Sequence, residues 1–226
     1  MAIEAQATFG QNVVTTGETD LLDRFTRRMI DPPLAIVARR VVSAGISADR
    51  VTLTGLGMGL AGAAAITFGY FELAMVLILA SRFLDGLDGA VAREGKITDF
   101  GGYLDIVCDF AFYGAVPLAF VIYDPAQNGV AGAFLLTSFY VNGATFLAYS
   151  ALAAKRGMAT TASGIKSIYY SNGLLEGTET IAFFVVLCVW PETFSLLAYV
   201  FGALCFATAT LRSVGLRSLL KKDKTT

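Results

Sequence analysis

Four stretches of this chain carry no charged residue at all: Val51–Phe71, Phe110–Tyr123, Pro125–Ala154 and Thr193–Leu211. A surface helix of a soluble protein needs polar residues along its outward face, and these runs lack them. A helix crosses the hydrocarbon of a bilayer with about 20 mostly apolar residues, which is close to the length of most of these runs. The chain is 15% charged, against about 25% in an ordinary soluble domain. An all-α integral membrane protein is therefore expected, with six transmembrane helices at about Val51–Gly69, Leu73–Ala92, Phe100–Tyr123, Gly129–Ala154, Gly173–Trp190 and Phe194–Val214.

The basic residues test that placement. Arg24, Arg27, Arg28, Arg39, Arg40 and Arg50 precede the first span. Arg82, Arg93 and Lys96 lie around the connection between spans two and three, and Lys155, Arg156 and Lys166 in the connection between spans four and five. Arg212, Arg217, Lys221, Lys222 and Lys224 complete the 17, all on one predicted side, while the opposite turns carry Glu72, Asp124 and Glu192. By the positive-inside rule both termini are cytoplasmic. A wrong number of spans would scatter the bases over both faces.

Residues 1–19 are polar without hydrophobic period and are expected to be disordered. Residues 20–50 form an amphipathic cytoplasmic juxtamembrane segment, read as a surface helix pair interrupted at Asp31-Pro32-Pro33. Residues 51–214 form the six-helix transmembrane domain, and 215–226 a basic tail. The N-terminus lacks the basic-then-apolar order of a secretory signal. Cys108, Cys188 and Cys205 stand alone without metal or redox spacing, and a chain with no histidine has no imidazole to serve as base or ligand.

Ionisable residues inside a membrane segment point to function. Asp85 and Asp88 are spaced i, i+3 at the end of span two, and Asp105 and Asp109 i, i+4 at the start of span three, so each pair shares a helix face. A short turn containing Gly95 brings the pairs together. A central aspartate costs about 2.5–3.5 kcal/mol on the insertion scale, so four would cost roughly 10–14 kcal/mol. Two divalent cations would neutralise them, and carboxylate oxygens suit Mg²⁺ or Mn²⁺. Gly86, Gly89, Gly101 and Gly102 leave backbone bare for close approach, and Arg93 offers a donor fork for phosphate. Together these residues describe a site for a phosphorylated ligand.

The run Asp85-x2-Asp88-Gly89-x2-Ala92-Arg93-x7-Gly101-x3-Asp105-x3-Asp109 resembles the signature of the CDP-alcohol phosphotransferase family at all eight fixed positions. The likeness extends over roughly Leu21–Val214. It implies that Asp85, Asp88, Asp105 and Asp109 hold two metal ions on the diphosphate of a CDP-linked lipid donor. It further implies that Asp88, Gly89, Ala92, Arg93, Gly101 and Thr52 surround the nucleotide. Asp109 is then the base for the attacking alcohol, and Arg93 steadies the departing CMP. A homodimer in the bacterial inner membrane is implied as well, with a small alcohol acceptor and no nucleic-acid partner. One departure is Asp49, where the family often has Asn.

Glu176 and Glu179, beside Gly173 and Gly177, are candidates for acceptor selection; alternatively they pair with Arg82 or Arg50, or favour a helix N-terminus. Lys166, with Lys155 and Arg156, either binds a phosphorylated acceptor or headgroups or simply marks topology. Asn142 is expected to make an interhelical hydrogen bond, and Gly55, Gly59 and Ala63 to permit close helix contact. The run Lys166–Tyr170 through Glu179 resembles a bacterial inner-membrane branch of the family whose substrates are poorly assigned. The rival reading is a divalent cation transporter or channel with an intramembrane aspartate site. Such sites favour the bilayer midplane and related halves, whereas these acids cluster at one end beside a basic loop.

Overall fold

The computed structural model describes residues 34–156 and 177–222, which are helical with no strand. In order they form α1 (34–43), α2 (Ala48–Thr67), α3 (Phe71–Glu94), α4 (Asp99–Tyr123), α5 (Pro125–Lys155), α6 (Gly177–Val189) and α7 (Phe194–Lys222), with a 3-10 turn at Pro191–Thr193. They divide into two compact units that change over between Pro125 and Ala126.

Among the described residues, three segments are long and apolar enough to cross a membrane: Asp99–Tyr123, Pro125–Lys155 and Pro191–Ser218. At 20 and 24 residues, α2 and α3 reach about 30 and 36 Å, enough to span hydrocarbon about 30 Å thick. Glycine and threonine dilute the hydropathy of α2, however, and Arg82, Asp85 and Asp88 interrupt α3. Helix α6 is described over only 13 residues. Three of the six expected spans thus qualify on length and composition alone. The last helix runs past the expected Val214 to Lys222; no proline intervenes, and basic residues are favoured in a helix's last turn.

In the N-terminal unit, two turns need glycine. Gly45 (φ 73°) and Gly69 (φ 78°) occupy the left-handed region, where other residues are strained. Each closes a helix with the same pair of bonds: Ile46 N–H to Val41 O and Gly45 N–H to Val42 O, then Tyr70 N–H to Ala65 O and Gly69 N–H to Ile66 O. This is the Schellman arrangement. Helix α1 buries Leu34 and Ala38 with Val51, Leu87, Ala90 and Val91, and leaves Arg39 and Arg40 exposed.

Helix α2 packs closely against both α3 and α4, whose own backbones approach one another much less. The small residues of α2 make this possible. A Cβ on Gly55 would lie 3.3 Å from Leu84 Cβ; one on Gly59 would lie 2.6 Å from the Phe112 ring; one on Gly62 would meet Ala74 O and Leu77 at 3.3 Å. The glycine stripe expected to permit close contact is therefore filled within the unit. Proline 117 sits inside α4.

In the C-terminal unit, α5 and α7 are joined by polar contacts towards each end. Ser195 Oγ donates to Gln127 O at 2.8 Å and lies 3.1 Å from Asn128 Oδ1. Farther along, Arg212 Nη1 reaches Asn142 O (3.0 Å), Asn142 Oδ1 (2.9 Å) and Thr145 Oγ1 (2.9 Å). The interhelical bond expected of Asn142 is present. Arg212, counted among the bases of a cytoplasmic end, is instead 6% exposed, because its neighbours on α5 supply the acceptors. Between these contacts the packing is apolar, with the Gly202 Cβ position 2.8 Å from the Phe134 ring and Phe183 stacked on Phe201 at 4.1 Å.

Candidate active site

The α3–α4 connection is built by its ends. Gly95 N–H bonds Val91 O at 2.9 Å to close α3. Thr98 then starts α4 as its N-cap, its Oγ1 accepting from Gly101 N–H at 2.9 Å, which satisfies one of the free amides of a helix start. Four residues, Gly95 to Thr98, separate the helices. From these ends, Asp88 and Asp105 lie six residues inside α3 and α4, or about 9 Å.

Asp85 and Asp109 lie deeper, and carboxylate oxygens of Asp85, Asp105 and Asp109 come within 4.8 Å of one another. Three hard oxygen donors so close suit a divalent cation of the Mg²⁺ or Mn²⁺ kind, so the donor set fits the ion that the spacing suggests. Asp88 lies outside this group. It is 6% exposed, and its Oδ2 accepts a hydrogen bond from Thr52 Oγ1 at 2.5 Å. The Thr52 hydroxyl, expected near a nucleotide phosphate, is thus engaged with Asp88.

A residue that topology had assigned to the loop bases is central here. Arg82 lies within α3, twelve residues before its end at Glu94. Its Nη1 donates to Asp109 Oδ1 at 2.7 Å and lies 3.3 Å from Asp85 Oδ1. Its Nη2 is 3.3 Å from Ser81 Oγ, which itself donates to Gly55 O at 2.7 Å. The guanidinium carbon stands 4.2 Å over the Phe112 ring, a cation–π contact. Arg82 thus pairs with Asp85 and Asp109 inside the N-terminal unit. The available signal was the i, i+3 spacing of Arg82 and Asp85, the same rule that grouped the aspartates.

The remaining motif residues surround this cluster unevenly. Arg93 is exposed, with Nη1 3.3 Å from the Cβ position of Gly89, so the guanidinium folds back over bare backbone. Gly101 is hemmed by Thr98 Oγ1 (3.0 Å) and Asp49 Oδ1 (3.3 Å), which places the Asp49 carboxylate at the start of α4. Gly86 and Gly102 face open space. Ala92 is half-buried, and Glu179 is exposed in the first turn of α6. Glu176, Lys166 and residues 1–33 lie outside the described residues.

Comparison with known proteins agrees with this geometry. Residues 46–211 match the CDP-alcohol phosphatidyltransferase family. The chain is 44% identical over 192 residues to inner membrane protein YnjF of Escherichia coli (strain K12), covering 85% of this chain and 93% of that protein. A shorter match, 42% identical over 84 residues, covers 37% of this chain and 40% of the archaetidylinositol phosphate synthase of Methanothermobacter thermautotrophicus. Among solved structures, the phosphatidylinositol phosphate synthase of Mycobacterium tuberculosis with CDP-DAG bound has the same fold: TM-score 0.64, 23% identity, 80% of this chain and 92% of that one. The same enzyme in complex with manganese and citrate gives a TM-score of 0.58 at 23% identity, over 80% and 88%. With its eight-residue signature lying inside the matched region, the chain belongs to the CDP-alcohol phosphatidyltransferase family and is a transferase of phospholipid biosynthesis.

Proposed function

We propose that the protein transfers a phosphatidyl or other substituted phosphate group from a CDP-alcohol, CDP-diacylglycerol foremost, to an alcohol acceptor, with release of CMP. The observation that carries this reading is the convergence of Asp85, Asp105 and Asp109 within 4.8 Å, with Arg93 folded over Gly89 one helical turn beyond Asp88 and Gly89. The CDP-DAG complex of the mycobacterial enzyme supports the lipid donor, and the name of the E. coli relative supports the inner membrane.

Two divalent ions, Mg²⁺ or Mn²⁺, held by Asp85, Asp88, Asp105 and Asp109, would neutralise charge on the donor diphosphate and act as Lewis acids there. Thr52 serves this arrangement by fixing the Asp88 carboxylate. Gly89 and Ala92 leave room for the cytidine, and the Arg93 guanidinium binds phosphate oxygens and stabilises charge on the departing CMP. Gly101 keeps the start of α4 free of a side chain beside the nucleotide. Asp109 accepts the proton of the acceptor hydroxyl as that oxygen attacks the phosphorus bearing the lipid alcohol. Glu179, with Glu176 and Lys166, is assigned to the acceptor side. The acids sit about 9–15 Å along α3 and α4 from their connection, and the basic residues Arg93 and Lys96 at that end support a site opening towards the cytoplasm.

The test is CMP release by the purified protein from CDP-diacylglycerol with Mg²⁺ or Mn²⁺ and a panel of alcohols that includes inositol phosphate. Release that requires one acceptor, and that drops at least about 100-fold in Asp105→Asn, the scale of losing a main electrostatic stabiliser, establishes the reaction. Absence of release together with absence of CDP binding in the folded protein overturns it.

A further inference from the structure

Asp109 has two carboxylate oxygens and three demands upon them. Arg82 Nη1 already holds Oδ1 at 2.7 Å, a metal ion would take an oxygen, and the acceptor proton needs one. The same guanidinium lies 3.3 Å from Asp85 Oδ1, so two of the three clustered carboxylates share one fixed positive charge. That charge is not free to swing away. Phe112 lies against its face, Ser81 lies against Nη2, and Ser81 is in turn bonded to α2. Gly59 leaves just enough room for both: a Cβ there would lie 2.6 Å from the Phe112 ring and 2.9 Å from Ser81 Oγ.

The guanidinium is also the deepest member of the group. The Arg82 side chain is 14% exposed, against 35% for Asp85 and 30% for Asp109, so it grips the carboxylates from the protein side and leaves their outer face open. Arg82 Nε is buried without a hydrogen-bond partner.

We propose that Arg82 is a built-in counter-ion that competes with divalent metal for Asp85 and Asp109, holding the acidic cluster together in the metal-free enzyme and weakening metal binding. Arg82 is a positioning residue in this reaction. A cation bound by the same carboxylates meets a like charge that cannot retreat, and like charges in a partly buried site repel strongly. The inference rests on the metal-dependent reading given above.

The experiment is Mn²⁺ binding and thermal unfolding, with and without Mn²⁺, on the full-length protein in detergent, for wild type, Arg82→Gln and Arg82→Lys. Removing the charge in Arg82→Gln tightens Mn²⁺ binding at least tenfold, lowers the metal-free melting temperature, and leaves the melting temperature at saturating Mn²⁺ close to wild type. Arg82→Lys keeps a charge but loses the fork to both carboxylates, so it binds Mn²⁺ about threefold more tightly than wild type; it keeps the test decisive if Arg82→Gln does not fold. Unchanged or weaker Mn²⁺ binding in a folded variant overturns the inference, as does a stability loss that Mn²⁺ does not restore. Failure of wild type itself to bind Mn²⁺ removes the metal reading beneath it, a result distinct from the first two.

Discussion

Asp88 and Asp109 both receive a hydrogen bond from a neighbouring helix residue or side chain, and the two bonds differ in kind. The Thr52–Asp88 bond joins a neutral hydroxyl to a buried carboxylate. Thr52→Val keeps the shape and strips the donor, so it lowers stability by about 1.5–3 kcal/mol, the range for hydrogen bonds to charged groups, read as a shift in thermal unfolding. Thr52→Ser, which keeps the hydroxyl, recovers most of the loss. The aspartates were legible from their spacing because i, i+3 and i, i+4 place side chains on one face whatever the tertiary fold. Which partner each carboxylate takes was not. Thr52 and Asp88 are 36 residues apart in sequence, and Arg82, though close to Asp85, looked like one more base of a cytoplasmic loop.

Helix α2 acts as a spine whose bare side seats the two helices carrying the acids. Gly59 and Gly57 stand two residues apart yet face different surroundings: a Cβ at 59 would meet Phe112 at 2.6 Å, while one at 57 meets nothing within 4 Å. Gly59→Leu therefore destabilises by at least about 1–3 kcal/mol, the usual cost of overpacking, and impairs activity through Phe112 and Ser81. Gly57→Ala is neutral or stabilising by up to about 1 kcal/mol, the helix-propensity difference. Thermal unfolding of the pair separates a packing effect from a general effect of removing glycine. Helices α2, α4, α5 and α7 were readable from the charge-free runs, and the ends of α2 to α4 fell within three residues of expectation. The late end of α7 was not, since Arg217, Lys221 and Lys222 read as a basic tail where the helix continues.

At the scale of the molecule, the one-sided distribution of bases predicts a cytoplasmic C-terminus, so a C-terminal green fluorescent protein fusion is expected to fluoresce and a C-terminal alkaline phosphatase fusion to be inactive. The opposite result would overturn the orientation read from the bases. The α5–α7 pair has a mechanical property that follows from its polar contacts. Ser195 and Arg212 are 17 residues apart on α7, about 26 Å along its axis, and each is tied to α5. Apolar side chains in lipid slide past one another with little penalty, but a guanidinium and a hydroxyl held by specific acceptors do not. The two ties work like the end pins of a hinge rod: shifting either helix by one turn breaks both at once. This part of the protein therefore answers a thicker or thinner bilayer by tilting as a unit, with its two long helices keeping their register.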